Sequence, residues 1–305
     1  MNGTDKSDLN CTILIGNPLF MGIDRDFVGR WDMVIHHEEC EFPSWFELDA
    51  DGKGQFVGQF GSARPIEHAA SEDGLLTFSM PKQYEPRTDD MEFRGCMEGE
   101  ILRGTTTHHD GSGMRWSAFR APELPYRDVT WASPSNLFAG GLSNWEARSP
   151  EMPFHWSIAD GMLVNAQAGS DLVHKHAYSD IRLIAEYKYP AGSNSGIYLR
   201  GRYEFQIVDD FGKEPSWGSS GAIYGFLVPS ANAINAAGEW NRVEIEIVGR
   251  WVTVDLNGMR IIDRREIPGI TGGALDSNEG KPGTLFIQGD HGPVTFRRLD
   301  LSEAG

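Results

Sequence analysis

Short runs of β-branched and aromatic residues, broken about every ten residues by Gly, Pro, Asn or Asp, extend from Phe27 almost to the end of the chain. No amphipathic helical period persists beyond about three turns. A chain patterned this way buries its apolar side chains by pairing strands, so the expected class is all-β. Residues 1–26 stand apart as a lead-in with one apolar patch at 14–20. Runs at 29–35, 44–48, 54–60, 75–80, 91–95, 100–104 and 114–119 predict a small antiparallel barrel of about seven or eight strands. Ala121-Pro122-Glu123-Leu124-Pro125 ends that pattern, and 126–135 reads as a linker. The expected domains are therefore 1–125 and 126–305.

The second part carries its own strand signals. Asn257-Gly258 is a strong two-residue hairpin turn. The segment 180–189 alternates, and Val243, Ile245 and Ile247 share one strand face. Ten or more strands without helices predict a β-sandwich of jelly-roll type. Within it, 194–210 reads as a hairpin turning at Gly201-Arg202. Side chains alternate across a strand, so Glu204 and Gln206 face one way and Tyr203, Phe205, Ile207 and Asp209 the other. A two-residue turn sets Leu199 opposite Glu204 and Arg200 opposite Tyr203. Arg200 then joins Glu204 only if the turn holds a bulge or the side chain reaches around the strand end. A solvated strand face accounts for the Glu204/Gln206 pair by itself. The density of Asn194, Arg200, Glu204, Gln206, Asp209 and Asp210 in one hairpin points to a site.

The net charge of −17 argues against nucleic acid and anionic membrane surfaces as partners and leaves neutral ligands such as sugars open. Cys11, Cys40 and Cys96 are odd in number and widely spaced, which indicates neither a disulfide framework nor a zinc knuckle. The apolar run 11–15 is too short for a signal sequence, so the expected location is cytoplasmic. Two polar clusters invite a metal reading: His36-His37-Glu38-Glu39-Cys40-Glu41 and His108-His109-Asp110. Neighbours on a strand point to opposite faces, so a solvated strand end is the simpler account of each.

The Gly29-Arg30-Trp31 opening resembles the G-x-W start of lipocalin-like barrels. The second part resembles the 3-keto-disaccharide hydrolase domain family over 137–302. The matching segments include Leu137-Phe138 with Trp145, Trp156 with Asp160-Gly161, and Lys175 ahead of Tyr178 and Asp180. They continue with Asn194-Ser195-Gly196, Leu199-Arg200-Gly201, Tyr203-Glu204-x-Gln206-x-x-Asp209 and Gly221-Ala222-Ile223-Tyr224. Trp240-Asn241, Leu256-Asn257-Gly258, and His291-Gly292-Pro293-Val294 with Phe296-Arg297 complete the order. Departures are Arg298 where the family has Asn, and His174-Lys175-His176 where it has Thr-Lys. The resemblance implies a concanavalin-like jelly roll acting on sugars oxidised at C3. It also implies a strand like that of laminarinase-type enzymes, with one catalytic carboxylate replaced by the amide of Gln206.

A C3 ketone acidifies the C2 hydrogen, so a single base can start a β-elimination that expels the C1 substituent. Paired carboxylates, as in ordinary glycoside hydrolysis, are not required. The chemistry needs no redox cofactor. The resemblance implies Glu204 or His291 as base and Lys175 or Arg200 as the group stabilising the enolate oxygen. A divalent cation is the alternative electrophile, held by Glu204 and His291 or by His174 and His176. Asn194, Gln206, Asp209 and Tyr224 are the expected sugar-binding residues. The competing function is a non-catalytic carbohydrate-binding module, from which the charged set Lys175, Arg200, Glu204 and His291 distinguishes an enzyme. The first barrel is a candidate platform for a partner or for a homo-oligomer.

Overall fold

The structure, a computed structural model, describes residues 22–38 and 40–305. Cys11, the apolar patch at 14–20 and Glu39 lie outside the described residues. The chain divides into two compact units between Ala121 and Pro122. The expected boundary near 126 falls slightly later because 122–125 pack with the second unit: Arg250 N–H donates to the Leu124 carbonyl at 3.0 Å. The segment read as a linker is also tied down. Ala132 N–H donates to Glu303 O at 2.9 Å, and Arg127 pairs with Asp180 at 2.7 Å.

Among its described residues the first unit has nine strands: β1 (Gly29–His37), β2 (Cys40–Leu48), β3 (Gly54–Val57), β4 (Arg64–Ile66), β5 (Ala69–Glu72), β6 (Leu75–Met80), β7 (Met91–Glu98), β8 (Ile101–Thr107) and β9 (Gly113–Arg120). They form one antiparallel sheet in the order β4-β3-β2-β1-β9-β8-β7-β6-β5, a nearly closed barrel in which the first and last strands pair. β4 and β5 are absent from the sequence reading, because runs of three and four residues around Pro65 and His68 carry too little pattern. Trp31, Phe46, Phe56, Phe78, Phe93 and Trp116 fill the interior. Trp116 explains two glycines: a Cβ on Gly95 or Gly104 would fall 2.5 or 2.3 Å from its indole.

The second unit has thirteen strands: β10 (Ser135–Asn136), β11 (Trp145–Ala147), β12 (Trp156–Ala159), β13 (Met162–Asn165), β14 (Leu172–Tyr178), β15 (Ile181–Lys188), β16 (Asn194–Leu199), β17 (Tyr203–Val208), β18 (Asn241–Val248), β19 (Trp251–Leu256), β20 (Met259–Glu266), β21 (Gly283–Ile287) and β22 (Val294–Glu303). One sheet runs β12-β13-β22-β15-β18-β19-β20, with β10 added to β22; the other runs β11-β14-β21-β16-β17. The main core lies between them, with Ile181, Leu183, Ala185 and Tyr187 from one sheet against Ile197, Leu199, Phe205 and Ile207 from the other. The fold is an all-β barrel followed by a jelly-roll sandwich. A smaller cluster of Val173, Tyr198 and Phe286 with Leu275 belongs to the five-stranded sheet, separate from this core. Tyr198 alternates with core-facing Ile197 and Leu199, which places that cluster on the opposite face of the sheet.

Candidate active site

β17 is buried along almost its whole length, on both faces. Tyr203, Phe205 and Ile207 enter the main core. Glu204 and Gln206 take the opposite face, beside Asn194, Gly196 and Tyr198 of β16. The segment after β20 covers this face, and Thr271 Oγ1 accepts the Glu204 backbone N–H at 3.0 Å.

The hairpin turn sets the pairing. Arg200 and Gly201 both have positive φ, at 53° and 71°, and Arg202 N–H donates to Leu199 O at 3.1 Å. Arg202 is the extra residue of a bulge, because Leu199 pairs with Tyr203. The expected register, with Leu199 opposite Glu204, is thus displaced by one. Tyr198 is the residue opposite Glu204. Its hydroxyl lies 2.8 Å from Glu204 Oε2 and 2.8 Å from Gly272 O, sharing one proton between two acceptors. Its ring stacks on Phe286 with centroids 3.9 Å apart.

Glu204 is 3% exposed. Burial pushes its pKa up to about 8, against the opposing pull of the Tyr198 hydrogen bond and the His291 charge. No described residue donates to Oε1. A Cβ on Gly196 would fall 2.6 Å from that oxygen, so Gly196 makes room for it. His291 binds Asp290 through Nδ1, and this bond raises its pKa, leaving Nε2 for a substrate. Asp171 accepts Gly289 N–H at 2.8 Å and pairs with Arg148 at 3.2 Å; burial raises its pKa. Arg148 also donates to Gly273 O at 2.9 Å and lies over the Phe286 ring, bracing the floor beneath Tyr198. The result is one buried carboxyl with a free oxygen, held by a tyrosine, in the field of an imidazole–carboxylate pair.

The other sequence candidates divide. Gln206 turns its Oε1 back to the Ile207 N–H at 2.9 Å, which leaves the amide nitrogen for a ligand. Asn194 holds a buried Oδ1 with no partner. Tyr224 donates its backbone N–H to Glu204 O at 2.9 Å, and its ring meets Trp217 edge-on at 5.6 Å. Asp209 caps the turn before β16 by accepting Gly192 N–H at 2.8 Å. Arg200 lies away from Glu204: it donates to Gly249 O and sits over the Tyr203 ring. Lys175 is exposed and donates to Ser143 O at 2.9 Å.

The His174-x-His176 pair does not keep strand geometry, because β14 bulges against β21 between Val173 and Ala177. His174 is buried edge-on to Trp145, with its Nδ1 3.1 Å from Tyr178 Oη, and burial lowers its pKa. His176 is exposed toward Glu303. Among the described residues of this unit, no three ligating side chains converge closely enough to hold one ion.

Sequence reasoning missed Tyr198, Asp171, Asp290, Arg148 and Trp217. Alternation along 194–198 carries a signal for Tyr198, since Asn194, Gly196 and Tyr198 share a face. Trp217 is 45% exposed in a Ser/Gly/Pro-rich loop, an unusual place for an indole unless it stacks on a ligand.

A Tyr198→Phe substitution is expected to raise the Glu204 pKa further, because the lost hydrogen bond is one that lowers it. If the carboxylate acts as a base, the acidic limb of the rate profile moves to higher pH. Each unit of movement costs about tenfold in rate below the limb. Steady-state kinetics from pH 6 to 10 reads this, and an unmoved limb assigns Tyr198 a packing role alone.

Residues 133–302 match the profile of a family described as 3-keto-alpha-glucoside-1,2-lyase-like domain. Among solved structures, a "putative glycosyl hydrolase" from Parabacteroides distasonis is 26% identical, covering 61% of this chain and 94% of its own, with a TM-score of 0.48. A second from the same organism is 25% identical, covering 56% and 98%, with a TM-score of 0.44. The endo-beta-1,3(4)-glucanase SCLam is 8% identical, covering 61% and 95%, with a TM-score of 0.39. No curated protein matches the chain. Through its jelly-roll unit the chain belongs to the 3-keto-alpha-glucoside-1,2-lyase-like domain family, a carbohydrate-active family.

Proposed function

We propose that this protein cleaves the glycosidic bond of 3-keto-glycosides by elimination. The observation that carries the reading is Glu204: a buried carboxyl with one oxygen fixed by Tyr198 and the other without a partner. In its ionised form Oε1 takes the C2 proton, and the electron pair moves to the C3 oxygen as an enolate. The enolate collapses to a C1=C2 double bond while the C1–O bond breaks. The leaving oxygen takes a proton from His291 Nε2, which the Asp290 bond keeps charged to higher pH. The product is an unsaturated 3-keto sugar, and addition of water across its double bond gives net hydrolysis. The amide nitrogens of Gln206 and Asn194, on the same face as Glu204, supply donors for substrate oxygens. Trp217 and Tyr224 offer an aromatic surface for the sugar ring. An upstream oxidation of the glycoside must supply the ketone.

The test is a time course of a 3-keto-glucoside in D2O followed by NMR. The expected result is loss of the aglycone with deuterium at C2, or with transient signals of a 2-hydroxy-glucal. Binding without release of the aglycone would instead make the protein a carbohydrate-binding module.

A further inference from the structure

The two histidine clusters of the barrel, about 70 residues apart in sequence, meet at one end of its sheet. β9 pairs with β1 on one side and β8 on the other. His36 is opposite Arg115 and Thr107 opposite Gly113, so the end of β1 and the β8–β9 turn lie side by side. The rings of His37 and His108 stack with centroids 4.2 Å apart, and the His109 ring lies 3.8 Å from that of His108. Ligating atoms of His37, His108 and Asp110 all fall within 4.8 Å of one another. The side chains of Asp110 and His108 lie 3.1 Å apart, and Ser112 donates to Asp110 through its N–H at 2.8 Å and its hydroxyl at 2.6 Å. His37 Nε2 lies 3.1 Å from Ser112 Oγ, so the same hydroxyl serves both cluster members.

We propose that His37, His108 and Asp110 form a binding site for a divalent transition cation of the zinc class, in the barrel and separate from the sugar-cleaving site. Two imidazoles and one carboxylate are borderline donors that suit Zn2+ or Co2+ rather than Ca2+ or Mg2+. Bonds of about 2.0–2.2 Å in a tetrahedron set ligand atoms roughly 3.4 Å apart. The present cluster reaches that by small rotations of half-buried and exposed side chains. Three protein ligands leave the fourth position open. His108 and His109 also line a cavity of about 280 Å³ whose other walls include Phe42, Phe56, Met91 and Met114. Of the three ligands His108 is the one that borders this largely apolar chamber, whose size suits a small ligand with one donor atom and an apolar body.

Calorimetric titration of the full chain, free of affinity tag and stripped with chelator, with ZnCl2 tests this. One ion per chain is expected, and CoCl2 in its place is expected to give the visible absorption of a tetrahedral site. His108→Ala and Asp110→Asn should each weaken binding by more than the roughly 10–100-fold that loss of an outer-sphere partner costs. Circular dichroism of the stripped variants controls for folding, and His37→Gln is the second variant if His108→Ala does not fold. Absence of binding, binding that survives these substitutions, or loss of the ion on His291→Ala overturns the proposal.

Discussion

Glu204→Gln is expected to lower kcat on a 3-keto-glycoside by about 10³-fold, the middle of the range for loss of a general base. The amide keeps the shape of the carboxyl, and its carbonyl oxygen can still accept the Tyr198 hydroxyl now at 2.8 Å from Oε2. Folding is therefore expected to survive, and stability supplies an independent readout with a defined sign. The folded pKa is raised from 4.5 to about 8 by burial. The stability that goes with this raised value is fully present below pH 4.5 and is lost as pH rises through 8. Gln carries no such dependence. The melting temperature of Glu204→Gln minus that of wild type should therefore grow more positive from pH 5 to about pH 8 and level off above it. Wild-type kcat/KM should rise about tenfold per pH unit below 8, as the carboxylate form appears. A dead variant whose stability difference is flat with pH would mean that Glu204 is not the buried, proton-holding group described here.

The fold was legible where local pattern and tertiary demand agree. Asn257-Gly258 turns β19 into β20 with both residues at positive φ, and Leu256 pairs with Met259 as a two-residue hairpin requires. β15 alternates buried and half-buried residues without exception. The face Glu204 takes was legible as well, because alternation alone sets it against the core-facing Tyr203 and Phe205. What failed were positions where the backbone leaves its ideal path without a residue to announce it. Arg200 takes a left-handed conformation that nothing in an arginine signals, and one residue of register followed from it. The bulge at 173–177 likewise sent His174 and His176 into different environments. Asp171, Tyr198 and the Asp290–His291 pair come from three separate stretches, and only the assembled sheet makes them neighbours of Glu204. The histidine clusters of the barrel are the same case: each looked like a solvated strand end, and closure of β1, β8 and β9 joined them.

The face of β17 turned away from Glu204 carries the second large effect. Tyr203 donates its hydroxyl to Glu279 Oε1 at 2.6 Å, and Arg250 Nη2 meets Glu279 Oε2 at 2.8 Å. The Arg250 and Glu279 side chains are 2% and 0% exposed. Both charges have left water and meet each other there. Glu279→Ala takes the carboxylate away from a buried guanidinium and the acceptor away from the Tyr203 hydroxyl. Removing one partner of such a pair costs about 3–5 kcal/mol. For a unit of this size the expected fall in melting temperature is on the order of 10 °C. Glu279 lies on the side of the strand away from Glu204, so kcat of the protein that remains folded should change little. Calorimetry combined with activity normalised to folded protein separates the two outcomes. A loss of kcat that tracks the loss of stability would mean that the carboxyl beneath β17 also sets the position of Glu204 above it. An unchanged melting temperature would mean that water or a moved side chain takes over the charge of Arg250. In either case Glu279→Gln, which keeps an acceptor for Tyr203 and removes only the charge, isolates the ionic part of the effect.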